Sequence, residues 1–210
     1  MFNDAILPEP NEIIEIENPP RLTEISEKDG IFFNTTFSSD KRIRAYVYDL
    51  LLKAKTLLPV GVHFMVYEAY RPLSAQIKLW EDAIAKVKVL HPEWDEHCEE
   101  FISECNIFAA NPYKQGSGHQ TGGALDITLV NDNGEELEMG CKIRDISPLT
   151  ETETKGLPKG AKKNRRMLKR ALTAVGFVNY PAEWWHYSFG ERLWAKLKGS
   201  KLAIFAKLDI

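Results

Sequence analysis

Gly116-Ser117-Gly118-His119-Gln120-Thr121-Gly122-Gly123-Ala124-Leu125-Asp126-Ile127-Thr128-Leu129 joins a glycine-rich turn to an alternating run. From Ala124 onward Leu125, Ile127 and Leu129 fall on one side and Ala124, Asp126 and Thr128 on the other. That is the two-residue period of a strand, with a core side and a small, polar side. His119 precedes the Gly122-Gly123 turn and Asp126 projects from the polar side after it, so the two side chains can converge although seven residues apart.

Upstream, Val62, Phe64 and Val66 alternate with His63, Met65 and Tyr67, which predicts a second strand over 60–68. It ends at Tyr70-Arg71-Pro72, where the proline biases Arg71 away from helical geometry, and Ser74 opens a helix with the stripe Ile77, Trp80, Ile84, Val87. Ile43, Val47, Leu50, Leu51, Ala54, Leu57 and Leu58 predict an earlier amphipathic helix starting near Asp40 and capped by Ser39 or Asp40. Trp94, Cys98, Phe101, Ile102, Cys105 and Phe108 predict another from about Pro92. Residues 1–36, rich in Pro, Asn and Glu, read as an extended N-terminal arm with one or two short strands.

Downstream, Asn131-Asp132-Asn133-Gly134 is a hairpin-type turn, residues 140–160 form a long loop of the kind that is often functional, and 162–175 form a helix stopped by Gly176. An aromatic strand-like stretch, Phe177 to Gly190, precedes a short helix near 191–198 and a last strand. Irregular alternation of strands and helices favours an α+β fold, a mainly antiparallel sheet with flanking helices, built as a single domain over 1–210.

A net charge of -3 offers no global attraction for nucleic acid. The basic run Lys162 to Arg170 reads as the solvated face of an amphipathic helix rather than a polyanion site. The N-terminus lacks the charge and apolar core of a signal peptide, and nothing resembles a membrane span, which together with three cysteines predicts a cytoplasmic protein without a membrane partner. Cys98 and Cys105 read as packing residues on a helix, and nothing specifies an oligomeric state.

Of the five histidines, His91 and His97 read as surface or capping residues and His63 as a core one. His119 and His186 each have a carboxylate nearby in a glycine-rich or aromatic setting. His119, Asp126 and His186 supply the three protein ligands of a catalytic zinc site that keeps a fourth position for water. Glu183, three residues before His186, can serve as general base on that water. In extended backbone the two would face opposite ways, so this reading requires a bend near Trp184.

Ser117 to Asp126 matches the pattern S-x-H-x-x-G-x-A-x-D, and Glu183-Trp184-Trp185-His186 the pattern E-x-x-H. In these the chain resembles the zinc D,D-peptidases that include the D-alanyl-D-alanine dipeptidases of vancomycin resistance. Glu68-Ala69-Tyr70-Arg71-Pro72, Met139-Gly140 and Ser188 to Ala195 are similar to further family segments, so the likeness covers roughly residues 40–205. The resemblance implies the hedgehog/D,D-peptidase fold, with one zinc ion per chain on His119, Asp126 and His186. It implies Glu183 as general base and acid, Arg71 as oxyanion stabiliser, and a small peptide substrate whose carboxylate Ser117 helps to hold.

The sequence departs from the dipeptidases at Met139-Gly140-Cys141-Lys142-Ile143-Arg144-Asp145. There the family places Phe-Asp two residues after Met-Gly, and that aspartate takes the substrate's amino group. Either Asp145 serves after a one-residue shift, or Arg144 stands there and repels an ammonium. The expected activity is hydrolysis of D-Ala-D-Ala or a related cell-wall peptide. The alternatives are a D,D- or L,D-carboxypeptidase of longer muropeptides and a non-catalytic zinc-containing binding domain.

Overall fold

The computed structural model describes residues 12–208. Its centre is a five-stranded sheet in the order β3 (Ile31–Phe33), β5 (Val62–Glu68), β6 (Ala124–Asn131), β8 (His186–Ser188), β7 (Val178–Asn179). β3 runs parallel to β5, and the other neighbours are antiparallel. The fold is α+β with a mainly antiparallel sheet, as the alternation of elements implied.

One core joins Leu125, Ile127 and Leu129 of β6 and Phe64 and Val66 of β5 to two helices. These are α1 (Ala45–Lys55), through Val47 and Leu51, and α4 (Lys159–Ala174), through Leu168 and Leu172. A smaller core holds α2 (Leu73–Leu90) to α3 (Glu99–Phe108) by Trp80, Val87, Phe101 and Cys105. Two further pairs of short strands complete the fold: β1 (Glu12–Ile13) with β9 (Leu202–Ala203), and β2 (Leu22–Glu24) with β4 (Arg42–Arg44). Helix α5 (Arg192–Lys198) is capped by Glu191. Among the described residues no helix is long and apolar enough to cross a membrane.

Several boundaries differ from expectation. The arm's first eleven residues lie outside the described residues, but Ile31 and Phe33 are buried in β3, so the end of the arm is part of the main sheet. The first helix begins at Ala45 and not near Asp40, because 42–44 pair with β2 and no side chain caps the helix. Likewise α3 starts at Glu99, with the Cys98 sulfur accepting the N–H of Phe101, so Cys98 caps the helix as well as packing with Cys105 in the smaller core. His63 is not a core residue: its side chain is 26% exposed and its Nε2 lies 2.8 Å from Asp132 Oδ1.

Candidate metal centre

The site is built from a row across the three central strands. Glu68 on β5 is the register partner of Asp126 on β6, and Asp126 is the partner of His186 on β8. Directly opposed residues share a face. A bulge between Val66 and Glu68 shifts the register of β5 at the end of the strand, opposite Asp126. His119 enters from a 3-10 turn, Gly118–Thr121, closed at Gly122 by a left-handed residue (φ 69°). A Cβ on Gly123 would stand 2.5 Å from Phe189 O, so only glycine lets the turn approach the next strand this closely.

One ligand atom each from His119, Asp126 and His186 lies within 4.8 Å of the others. His119 Nε2 and His186 Nδ1 stand 3.3 and 3.1 Å from Asp126 Oδ1. Because a carbonyl only accepts, the 2.9 Å contact of His119 Nδ1 with Ala69 O makes Nδ1 the donor and aims Nε2 at the cluster. His186 Nε2 lies 3.3 Å from the Ser188 hydroxyl, leaving Nδ1 to face Asp126. Two imidazoles and a carboxylate form a donor set that fits zinc. Burial opposes ionisation of Asp126, but the two histidines outweigh it and hold the carboxyl well below its ordinary range.

The bend required of the Glu183 segment is present. Glu183 N bonds to Tyr180 O (3.0 Å) and His186 N to Glu183 O (3.3 Å), and this turn brings Glu183 Oε2 within 3.9 Å of His186 Nδ1. The Glu183 side chain stays 39% open to solvent, yet protein around it pushes its carboxyl pKa up, an effect that the His186 charge opposes.

Arg71 is buried and reaches this row through Glu68. Its Nε donates to Glu68 Oε1 (2.8 Å), its Nη2 to Glu68 Oε2, and its Nη1 to Gln76 Oε1 (2.6 Å). Its backbone N–H donates to His119 O at 3.1 Å, tying it to the ligand turn. Ser117 caps that turn, its oxygen accepting from His119 N at 3.3 Å. Asp145 is not brought to the cluster: it is exposed, and its oxygens accept from Ile146 N (2.8 Å) and Ser147 Oγ (3.4 Å). Arg144 is there instead, bonded to Glu68 Oε2 and 3.7 Å from Asp126 Oδ2.

Glu68 and Gln76 are the residues that sequence reasoning missed. The signal for Glu68 was a carboxylate closing an otherwise apolar strand three residues before an arginine. For Gln76 the signal was position alone: it stands one turn before Trp80 on the face that buries Ala83 and Val87, and there it bridges Arg71 and Ala110 O (2.7 Å).

Residues 43–199 match the family model described as D-Ala-D-Ala dipeptidase. D-alanyl-D-alanine dipeptidases of Synechocystis sp. and Streptomyces coelicolor are 29% and 34% identical to the chain, over 62% and 63% of it. The matched region spans 61% and 64% of those relatives' own lengths. Among solved structures, a point mutant of the vancomycin-resistance D,D-pentapeptidase VanY with Zn(II) superposes with a TM-score of 0.50 at 18% identity, covering 91% of this chain and 90% of that one. VanYB in complex with D-alanine-D-alanine gives the same score over 90% and 92%.

Proposed function

Since the chain belongs to the D-Ala-D-Ala dipeptidase family, we propose that it is a zinc-dependent hydrolase of D-alanyl-D-alanine or a related D-amino-acid-containing peptide. The observation that carries this reading is the convergence of His119, Asp126 and His186 within 4.8 Å, with a fourth, partly open carboxylate, Glu183, beside them.

In this reading His119 Nε2, Asp126 and His186 Nδ1 hold the ion. Zinc bound there would act as a Lewis acid, polarising the scissile carbonyl and making water more acidic near neutral pH. Glu183 takes the proton of the attacking water and returns it to the leaving amine. Its upward-shifted pKa suits a group that must both gain and lose that proton. Arg71, fixed by Glu68 and Gln76, adds a standing positive charge for the oxyanion. The Ser117 oxygen accepts within the turn and keeps its O–H to donate to a substrate carboxylate.

The test is amino-acid release from a panel of D,D-, L,D- and L,L-dipeptides by zinc-loaded protein, with Glu183→Ala in parallel and zinc content measured for both. The expected result is selective cleavage of D,D-peptides, lost on chelation and reduced about 100- to 10,000-fold in the variant while zinc stays bound. Equal release by both proteins would refute the mechanism.

A further inference from the structure

Arg144 is the only non-glycine residue with positive φ (62°) among the described residues. It sits in the turn closed by Asp145 N to Lys142 O (3.3 Å), where glycine or asparagine would be at ease. A bulky residue held in that region is an outlier that invites a functional explanation.

Its guanidinium lies against the Phe37 ring, with Cζ 4.3 Å from the ring centroid, and its Nη2 is held by Glu68. The side chain is nonetheless 29% exposed, against 4% for Glu68, 5% for Asp126 and 10% for Arg71. Arg71 spends Nε, Nη1 and Nη2 on Glu68 and Gln76. Arg144 is thus the more open of the cluster's two guanidiniums.

The row Glu68, Asp126, His186 gives the site a direction. Glu183 stands at the His186 end and Arg144 at the Glu68 end. A base that returns its proton to the leaving amine puts the leaving half of the substrate at the His186 end, so the acyl half runs toward Arg144. With a divalent ion bound, three carboxylates and two guanidiniums would leave the site with a net positive charge, and Asp145 has its oxygens engaged elsewhere.

The geometry points to Arg144 as a specificity-determining residue that receives an acceptor oxygen on the acyl side of the scissile amide and disfavours a free ammonium there. The preferred substrate is then a peptide whose penultimate residue is N-acylated, not the free dipeptide. This rests on the hydrolytic reading above and narrows it.

The test compares D-Ala-D-Ala with N-acetyl-D-Ala-D-Ala on zinc-loaded full-length protein, as kcat/KM for wild type, Arg144→Asp and Arg144→Gly. Glycine suits the φ of 62° and preserves the turn. A charge-assisted hydrogen bond predicts a preference for the acetylated peptide of about tenfold or more. That preference should vanish in Arg144→Gly and reverse in Arg144→Asp. Calorimetric binding of both peptides to Glu183→Gln reads the same preference without turnover, so absence of cleavage would overturn the hydrolytic reading while binding still decides this one. Equal or better use of the free dipeptide by wild type, or an unchanged ratio in both variants, would overturn the assignment.

Discussion

Glu15→Ala should destabilise the protein far more than its place on a short N-terminal segment suggests. Arg44 has no exposed side-chain surface, and its guanidinium is held by Glu15 at 2.6 and 2.8 Å, by Glu17 at 3.3 Å, and by the carbonyls of Thr121 (2.7 Å) and Ala206 (3.2 Å). Phe205 lies beneath it, 4.2 Å from Cζ to ring centroid. Breaking a buried pair by removing one partner costs about 3–5 kcal/mol, because the remaining charge is left in a poor solvent. Here Glu15 is 23% exposed and Glu17 stays beside the arginine, which lowers the expected cost to about 2–3 kcal/mol.

The assay is urea unfolding of the zinc-free protein at neutral pH, with an unchanged m value as the check that compactness is preserved. A loss below about 0.5 kcal/mol for Glu15→Ala, the ordinary range for a surface change, would refute the reasoning. Thr121 lies in the turn that carries His119, so the same variant should also weaken zinc binding, by less than the roughly 10- to 100-fold seen when a ligand's direct partner is lost.

Burial opposes ionisation of Glu68, but the Arg71 hydrogen bonds and the charges of His119, Arg71 and Arg144 outweigh it and lower its pKa in the fold. A depressed carboxyl contributes stability that is complete above the unfolded value, about 4.3, and is lost as pH falls through the folded one. Stability of the zinc-free protein should therefore decline below about pH 4.3, and Glu68→Gln should flatten that slope in urea titrations across pH 3–6. An identical slope would exclude Glu68 as a contributor. Arg165→Met should cost about 3 kcal/mol by leaving the carbonyls of Met139 and Leu149 without their donor and that of Glu151 with Thr154 N alone. A change under about 0.5 kcal/mol in the same unfolding assay would show that this guanidinium does not hold the loop.

Much of the candidate site was legible because two of its three proposed ligands lie on one turn and the strand that follows it. The turn and the alternating strand let His119 and Asp126 converge, while Ala69 O and Arg71 N, from outside the segment, fix the His119 end. The bend at Glu183 was legible only as a requirement, since Pro181 and the aromatic run argued for extended backbone. The bond that holds the bend from outside the segment is long-range: Trp184 N bonds to Thr150 O at 2.9 Å. The start of α1 was misread for the same reason. Ile43 fits the helical stripe, but residues 42–44 are drawn into pairing with β2, a partner that periodicity within the segment cannot reveal. The choice between Arg144 and Asp145 was not legible because Arg144 is held by Glu68 and Phe37, two partners distant in sequence.

The long loop after β6 is orderly because a buried cation gathers it. Arg165 donates to Met139 O (2.7 Å), Leu149 O (2.7 Å) and Glu151 O (2.8 Å), three carbonyls that have no sheet or helix partner of their own. The far end of the loop is then stitched to the Glu183 turn by Thr152 N to Pro181 O (2.9 Å) and Trp184 N to Thr150 O (2.9 Å). Arg144 and the carboxylate proposed to move the proton thus sit on segments joined to one another as well as to the sheet. A shift of either segment alters the spacing between charge and proton acceptor. That coupling accounts for a positively charged helix face being turned inward at one position, Arg165, while its neighbours Lys162 and Arg166 remain exposed.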